Sequence, residues 1–185
     1  MRAAAGAHPG QRVTLWFMDE ARVGQKGRPC RRWWVRGRRP PGRCDGRFES
    51  AYLFAAVEPA TGADVALVLP AVTTAAMSLF LATFAAGLAE DVHAALVLDG
   101  AGWHGSRGLV VPATVTLVPL PPYSPELNPV ERVWLYLRER SLSLRMFPDY
   151  RAIVDACCAA WNRLVAEPGR PRSLCDQPWI KKVSS

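Results

Sequence analysis

Residues 120–140 read LPPYSPELNPVERVWLYLRER. Four prolines fall within residues 121–130, and the run leads directly into a segment with helical spacing. NPVE reads as a helix start, with Asn128 as N-cap, Pro129 at the first helical position and Glu131 at the third. The upstream prolines restrict the backbone before folding, so the start of the helix is fixed at low entropic cost. Two roles are open to Glu131. Asn128 and Glu131 have the spacing of a capping box, in which the glutamate only satisfies its own helix end. Alternatively, the rigid approach positions Glu131 as a metal ligand, a task that tolerates errors of about half an ångström.

Working outward, apolar strand-like runs and helical runs alternate. Residues 13–20 (VTLWFMDE) form a strand ending in two carboxylates. Residues 50–59 and the run 63–70 read as two further strands, joined by a short Gly-containing turn that implies antiparallel pairing. A helix is expected from Thr73 to Glu90, with Thr73 or Thr74 as N-cap. Residues 94–99 (AALVLD) are a continuous apolar run, the pattern of a strand buried on both faces. A turn and short helix follow, then a fifth strand at 114–120, the helix from Pro129 to Leu142 and a last helix at 150–165. The order β-β-β-α-β-α-β-α-α describes an α/β protein with a mixed sheet and helices on both faces.

The 185 residues suit one domain, and half of them are hydrophobic, enough to bury a full core. We divide the chain into a leader (1–12), a domain (13–165) with an Arg- and Trp-rich insertion at 22–47, and a loosely structured basic tail (166–185). The formal charge of +7 suggests a polyanionic partner, and nucleic acid comes first. The N-terminus lacks the apolar stretch of a signal peptide. Residues 65–89 carry no charge and are long enough to cross a bilayer. Pro70 and the pair Thr73 and Thr74 divide that run, however, so strand, turn and buried helix fit it better, and no membrane partner is expected. Five cysteines (Cys30, Cys44, Cys157, Cys158, Cys175) show no zinc-knuckle spacing and read as reduced thiols of a cytoplasmic protein.

Three carboxylates stand at element ends: Asp19 after the first strand, Asp99 after the fourth, Glu131 at the start of a late helix. Functional groups of α/β sheets gather just beyond strand ends. If the first and fourth strands are neighbours, Asp19 and Asp99 emerge side by side, and their repulsion calls for a cation. Mg²⁺ prefers such oxygen ligands, and three carboxylates can hold two ions about 3.5–4 Å apart, as in phosphodiester chemistry.

Taken together, the motifs WFMDEARVG around Asp19, WWVRGRRP at 33–40, LVLDGAGWH around Asp99 and LPPYSPELNPVERVW around Glu131 resemble the catalytic domain of a DDE transposase. The resemblance is to the bacterial insertion-sequence branch of the Tc/mariner superfamily, and it spans about residues 13–164. It implies an RNase H-like fold of five strands, three antiparallel and then two parallel. It also implies Mg²⁺- or Mn²⁺-dependent cleavage and strand transfer of DNA. Asp19, Asp99 and Glu131 would be the catalytic, metal-binding triad. Arg31, Arg32, Arg36, Arg38 and Arg39 of the insertion would hold DNA phosphates. Trp34 matches the insertion motif, either packing on the sheet or lining a DNA path. His104 matches a histidine near the DNA or the active site, although a core histidine donating to a carbonyl fits as well. Gly100 departs from the asparagine that relatives often carry there. Relatives place a helix-turn-helix ahead of this domain, so a separate helix-turn-helix chain is an expected partner, as is a second copy of this chain. The rival reading is an inactive DNA-binding or assembly module of the same fold. A nuclease acting on RNA–DNA hybrids is a weaker third.

Overall fold

The computed structural model describes residues 6, 8–26, 33–38, 46–102, 104, 106–143 and 145–184. Five strands form one sheet: β1 (Arg12–Gly24), β2 (Ser50–Val57), β3 (Asp64–Leu69), β4 (Val92–Leu98) and β5 (Val115–Pro119). Their order is β3-β2-β1-β4-β5. β1 pairs antiparallel with β2, and β2 with β3, whereas β4 runs parallel to both β1 and β5. The three-antiparallel, two-parallel plan of the RNase H-like fold is therefore present. Every residue of β4 is buried, because helices cover the sheet on both sides.

Side-chain alternation along β1 sorts the two cores. Trp16 and Met18 face α1 (Thr74–Ala86), where Met77, Phe80, Leu81 and Phe84 close one core. Phe17 and Ala21 face the opposite side. There they meet Val133, Trp134 and Leu137 of α2 (Val130–Leu137) and Trp161 and Leu164 of α3 (Tyr150–Ala166). The caps follow the sequence. Thr73 accepts from the Ala76 N–H at 3.1 Å, and Asp149 accepts from the Ala152 N–H at 2.8 Å.

Four expectations need adjusting. First, β1 runs on to Gly24, which pairs with Ser50, so the strand takes up the start of the expected insertion. A Cβ at Gly24 would lie 2.7 Å from the Glu49 carbonyl oxygen, so only glycine allows this close strand pairing. Second, the described residues between β4 and β5 form turns rather than a short helix. Gly100, Gly102, Gly108 and Pro112 in that stretch disfavour one. Third, the expected helix to Leu142 changes character after Leu137, and Arg138–Leu142 is a π-helical segment. Fourth, the tail is not loose. It forms α4 (Arg170–Cys175) and α5 (Pro178–Ser184), with Cys175 and Ile180 buried and the Trp179 ring edge-on to Phe17 at 5.7 Å. Pro171 starts α4 where its missing N–H is harmless, which is why a Pro/Arg-rich stretch still folds.

Cys157 and Cys175 are buried free thiols whose pKa burial pushes up to about 12, so both stay protonated packing groups. Cys30 and Cys44 lie outside the described residues. Among the described residues, no helix is long and apolar enough to cross a membrane.

One half-buried carboxylate makes the fold sensitive to pH. Asp64 opens β3 and accepts from the Trp161 indole N–H at 2.9 Å. Burial raises its pKa above the ordinary 3.8, with the Trp161 bond opposing. A raised folded pKa favours the proton-bound native state, so this contribution is lost as pH rises through the folded value. Asp64→Asn keeps the acceptor without the charge. In urea unfolding it should gain on the wild type as pH rises from 3.8 toward neutrality.

Candidate active site

β1 and β4 stay paired up to Phe17 opposite Val97. Two residues further along each strand, Asp19 and Asp99 stand at the point where the two strands part. The third carboxylate arrives by a different device. Asn128 is buried, and its side-chain amide donates to the Met18 carbonyl at 2.9 Å. Its Oδ1 accepts from the Val130 N–H at 3.2 Å, and Pro129 is already helical at φ −65° and ψ −18°. The expected helix start is thus fastened to β1, one residue before Asp19.

The capping box does not form. The Asn128 N–H donates to the Pro125 carbonyl at 2.9 Å. The Glu131 N–H donates to the Asn128 carbonyl at 3.2 Å, while its exposed side chain makes no hydrogen bond or ion pair among the described residues.

Asp19, Asp99 and Glu131 all line one cleft of ≈ 500 Å³. Asp19 accepts from the Trp134 indole N–H at 2.7 Å. Burial pushes its pKa up from 3.8 to about 7; the Trp134 bond opposes this, and the nearby Glu131 and Glu20 charges add to it. Asp99 is more open. Its Oδ1 accepts from the Ala101 N–H at 3.0 Å and also lies 3.0 Å from His104 Nδ1.

Among the described residues, however, the trio with ligand atoms all within 4.8 Å of one another is Glu20, Asp99 and His104. Asp19 and Glu131 share the cleft without joining that cluster.

The cleft also holds Arg22, Lys26, Arg138 and Arg145. None of these was singled out from the sequence, although one signal existed. Glu131, Trp134 and Arg138 are spaced i, i+3, i+7, the period of one helix face. Glu20 was passed over beside Asp19, and Trp134 within its helix.

Arg31, Arg32 and Arg39 lie outside the described residues, while Arg36 and Arg38 are exposed. Trp34 is 49% exposed and Trp33 fully so, which leaves little packing of Trp34 on the sheet. His104 is buried beside the carboxylates. The base of the insertion is tied down. The Gln25 amide donates to the Phe147 carbonyl at 3.1 Å, and Arg47 donates to the same carbonyl at 2.9 Å.

Carboxylates and cations sharing a cleft at the parting of parallel strands, on this mixed sheet, define an RNase H-like catalytic domain. The family described as DDE superfamily endonuclease matches residues 14–154, and the chain belongs to it as a DDE transposase/endonuclease domain. An uncharacterized protein, y4pE/y4sA of Sinorhizobium fredii (strain NBRC 101917 / NGR234), is 49% identical over 132 residues, 71% of this chain and 98% of its own. The Mos1 strand transfer complex has a similar fold, at TM-score 0.65 and 15% identity over 88% of this chain. The Mos1 mariner paired end complex with Mn gives TM-score 0.66 and 16% identity, again over 88%. The chain spans 50% and 51% of those two chains.

Asn128→Ala leaves the Met18 carbonyl and the Val130 N–H buried without partners. It should destabilise the protein by about 2 kcal/mol. Asn128→Asp retains an acceptor for Val130 but sets a carboxylate oxygen against the Met18 carbonyl, and it should do no better. Urea unfolding followed by tryptophan fluorescence measures both.

Proposed function

We propose that this chain is the catalytic domain of an insertion-sequence transposase, performing divalent-cation-dependent DNA cleavage and strand transfer with Asp19, Asp99 and Glu131. The observation that carries the reading is the single cleft in which all three carboxylates lie beside four cationic side chains.

The donor set suits Mg²⁺ or Mn²⁺. It is all oxygen, and an acid held near pKa 7 by burial and like charges gains from a hard cation. Asp19, Asp99 and Glu131 would hold one or two such ions. When bound, the ions supply the charge that lowers the proton affinity of an attacking hydroxyl and offsets negative charge on the departing oxygen.

The chain's own residues do the rest. Trp134 fixes the Asp19 carboxylate through its indole N–H, and Asn128 fixes the helix carrying Glu131 against the strand carrying Asp19. Arg22, Lys26, Arg138 and Arg145 face an incoming phosphodiester backbone, holding its charge beside the carboxylates. Exposed Arg36 and Arg38, with Trp33 and Trp34, extend the basic surface for DNA. Its partners would be transposon ends and target DNA, a second copy of this chain and a helix-turn-helix chain. It would work in the bacterial cytoplasm at the nucleoid.

Asp19→Asn, Asp99→Asn and Glu131→Gln should each lower Mg²⁺-dependent nicking of a supercoiled plasmid by on the order of 1,000-fold, because several kcal/mol of charge stabilisation goes. If Asp99→Asn nicks as fast as the wild type, the reading fails. Arg138→Ala should weaken DNA binding and reduce the slope of log K against log salt by about 1.

A further inference from the structure

We propose that Glu20 and His104 form a clamp that positions Asp99, a role that rests on reading Asp99 as a metal ligand. Beyond the Ala101 N–H, Asp99 has little else among the described residues to hold it. It lies just beyond β4, its side chain is 56% exposed, and it runs into Gly100 and Gly102, which have open space around them. Packing therefore does not set its carboxylate, and a ligand off by an ångström loses much of its value.

The His104 ring supplies the missing restraint. Its Nδ1 lies 3.0 Å from both the Asp99 backbone oxygen and Asp99 Oδ1. Its Nε2 lies 2.9 Å from Glu20 Oε1. The side chains of His104 and Glu20 are only 4% and 6% exposed. The Asp99 and Glu20 oxygens beside the ring are acceptors, an arrangement satisfied with an N–H on each nitrogen.

Glu20 in turn belongs to the middle of the sheet, where its backbone is paired opposite Phe54. The chain of contacts thus runs from the paired backbone of β1 through Glu20 and His104 to a carboxylate on a glycine loop. Successive residues of β1 serve the two carboxylates differently. Asp19 faces the α2 side as a ligand, and Glu20 points the other way to brace Asp99. A group that donates to a metal-binding side chain in this manner tunes affinity without touching the metal.

Two amide substitutions separate positioning from mere filling of space. The amide nitrogen of His104→Asn stands where Nδ1 is and keeps donation to Asp99. That of His104→Gln reaches the place of Nε2 and keeps only the Glu20 contact. Mn²⁺ binding followed by electron paramagnetic resonance should be about 10- to 100-fold weaker for His104→Gln, and weakened by a smaller factor for His104→Asn, which keeps the donation to Asp99 but loses the Glu20 brace.

The second readout needs no metal. The Ala101 amide donates to Asp99 Oδ1, so its hydrogen exchange reports whether that carboxylate is held. Relative to the Leu96 amide in β4, it should exchange faster in both variants, and fastest in His104→Gln. Unchanged Mn²⁺ affinity together with unchanged Ala101 exchange in His104→Gln overturns the clamp. If Asp99→Asn binds Mn²⁺ as well as wild type, the ligand reading of Asp99 falls instead, and Ala101 exchange alone then decides the clamp.

Discussion

A single buried amide holds the active-site geometry together. Asn128 bonds the first turn of α2 with one end of its side chain and the backbone of β1 with the other. Both partners are backbone groups in the interior, where an unmade hydrogen bond is expensive. The helix carrying Glu131 therefore has one favourable docking position on the strand carrying Asp19. The proline-rich loop ahead of it reduces the alternatives open to the unfolded chain, and the amide selects among those that remain.

From that junction the cleft assembles in layers. Val133, Trp134 and Leu137 pack beneath it in the core shared with α3, and the Trp134 indole reaches up to Asp19. Above this apolar base Asp19 has its pKa raised chiefly by burial, with the neighbouring Glu131 and Glu20 charges adding to it. Four cations line the same cleft. One fold thus juxtaposes an acidic centre that favours a cation with a basic wall that favours a polyanion.

Much of this was legible in the residues. The β4 run betrayed a strand buried on both faces, and NPVE marked the helix start to within one residue. Asp19, Asp99 and Glu131 stood out because each closes or opens an element. Other features were hidden for physical reasons. Local spacing could not show that Asn128 reaches across the fold to Met18, since 110 residues intervene. Glu20 looked redundant beside Asp19 because alternation along a strand sends neighbours to opposite faces, and only the tertiary structure shows what waits there. The two C-terminal helices were concealed by proline and arginine, residues that suggest a tail until Cys175 and Ile180 are seen to be buried. Arg22 and Arg145 gave no signal at all, because a surface arginine and a cleft arginine have the same sequence context.

The π-helical turn after α2 has an evolutionary consequence. Such a turn accommodates one more residue than regular α geometry, and it lies downstream of Glu131. Loss of a single residue there would restore an ordinary helix, and the shift would fall on the short stretch before α3, because α3 is held in the core. Arg145 would swing off the cleft wall while Asp19, Asp99 and Glu131 kept their places. The length of that one turn is thus a place where the grip on a substrate can change without touching the carboxylates upstream.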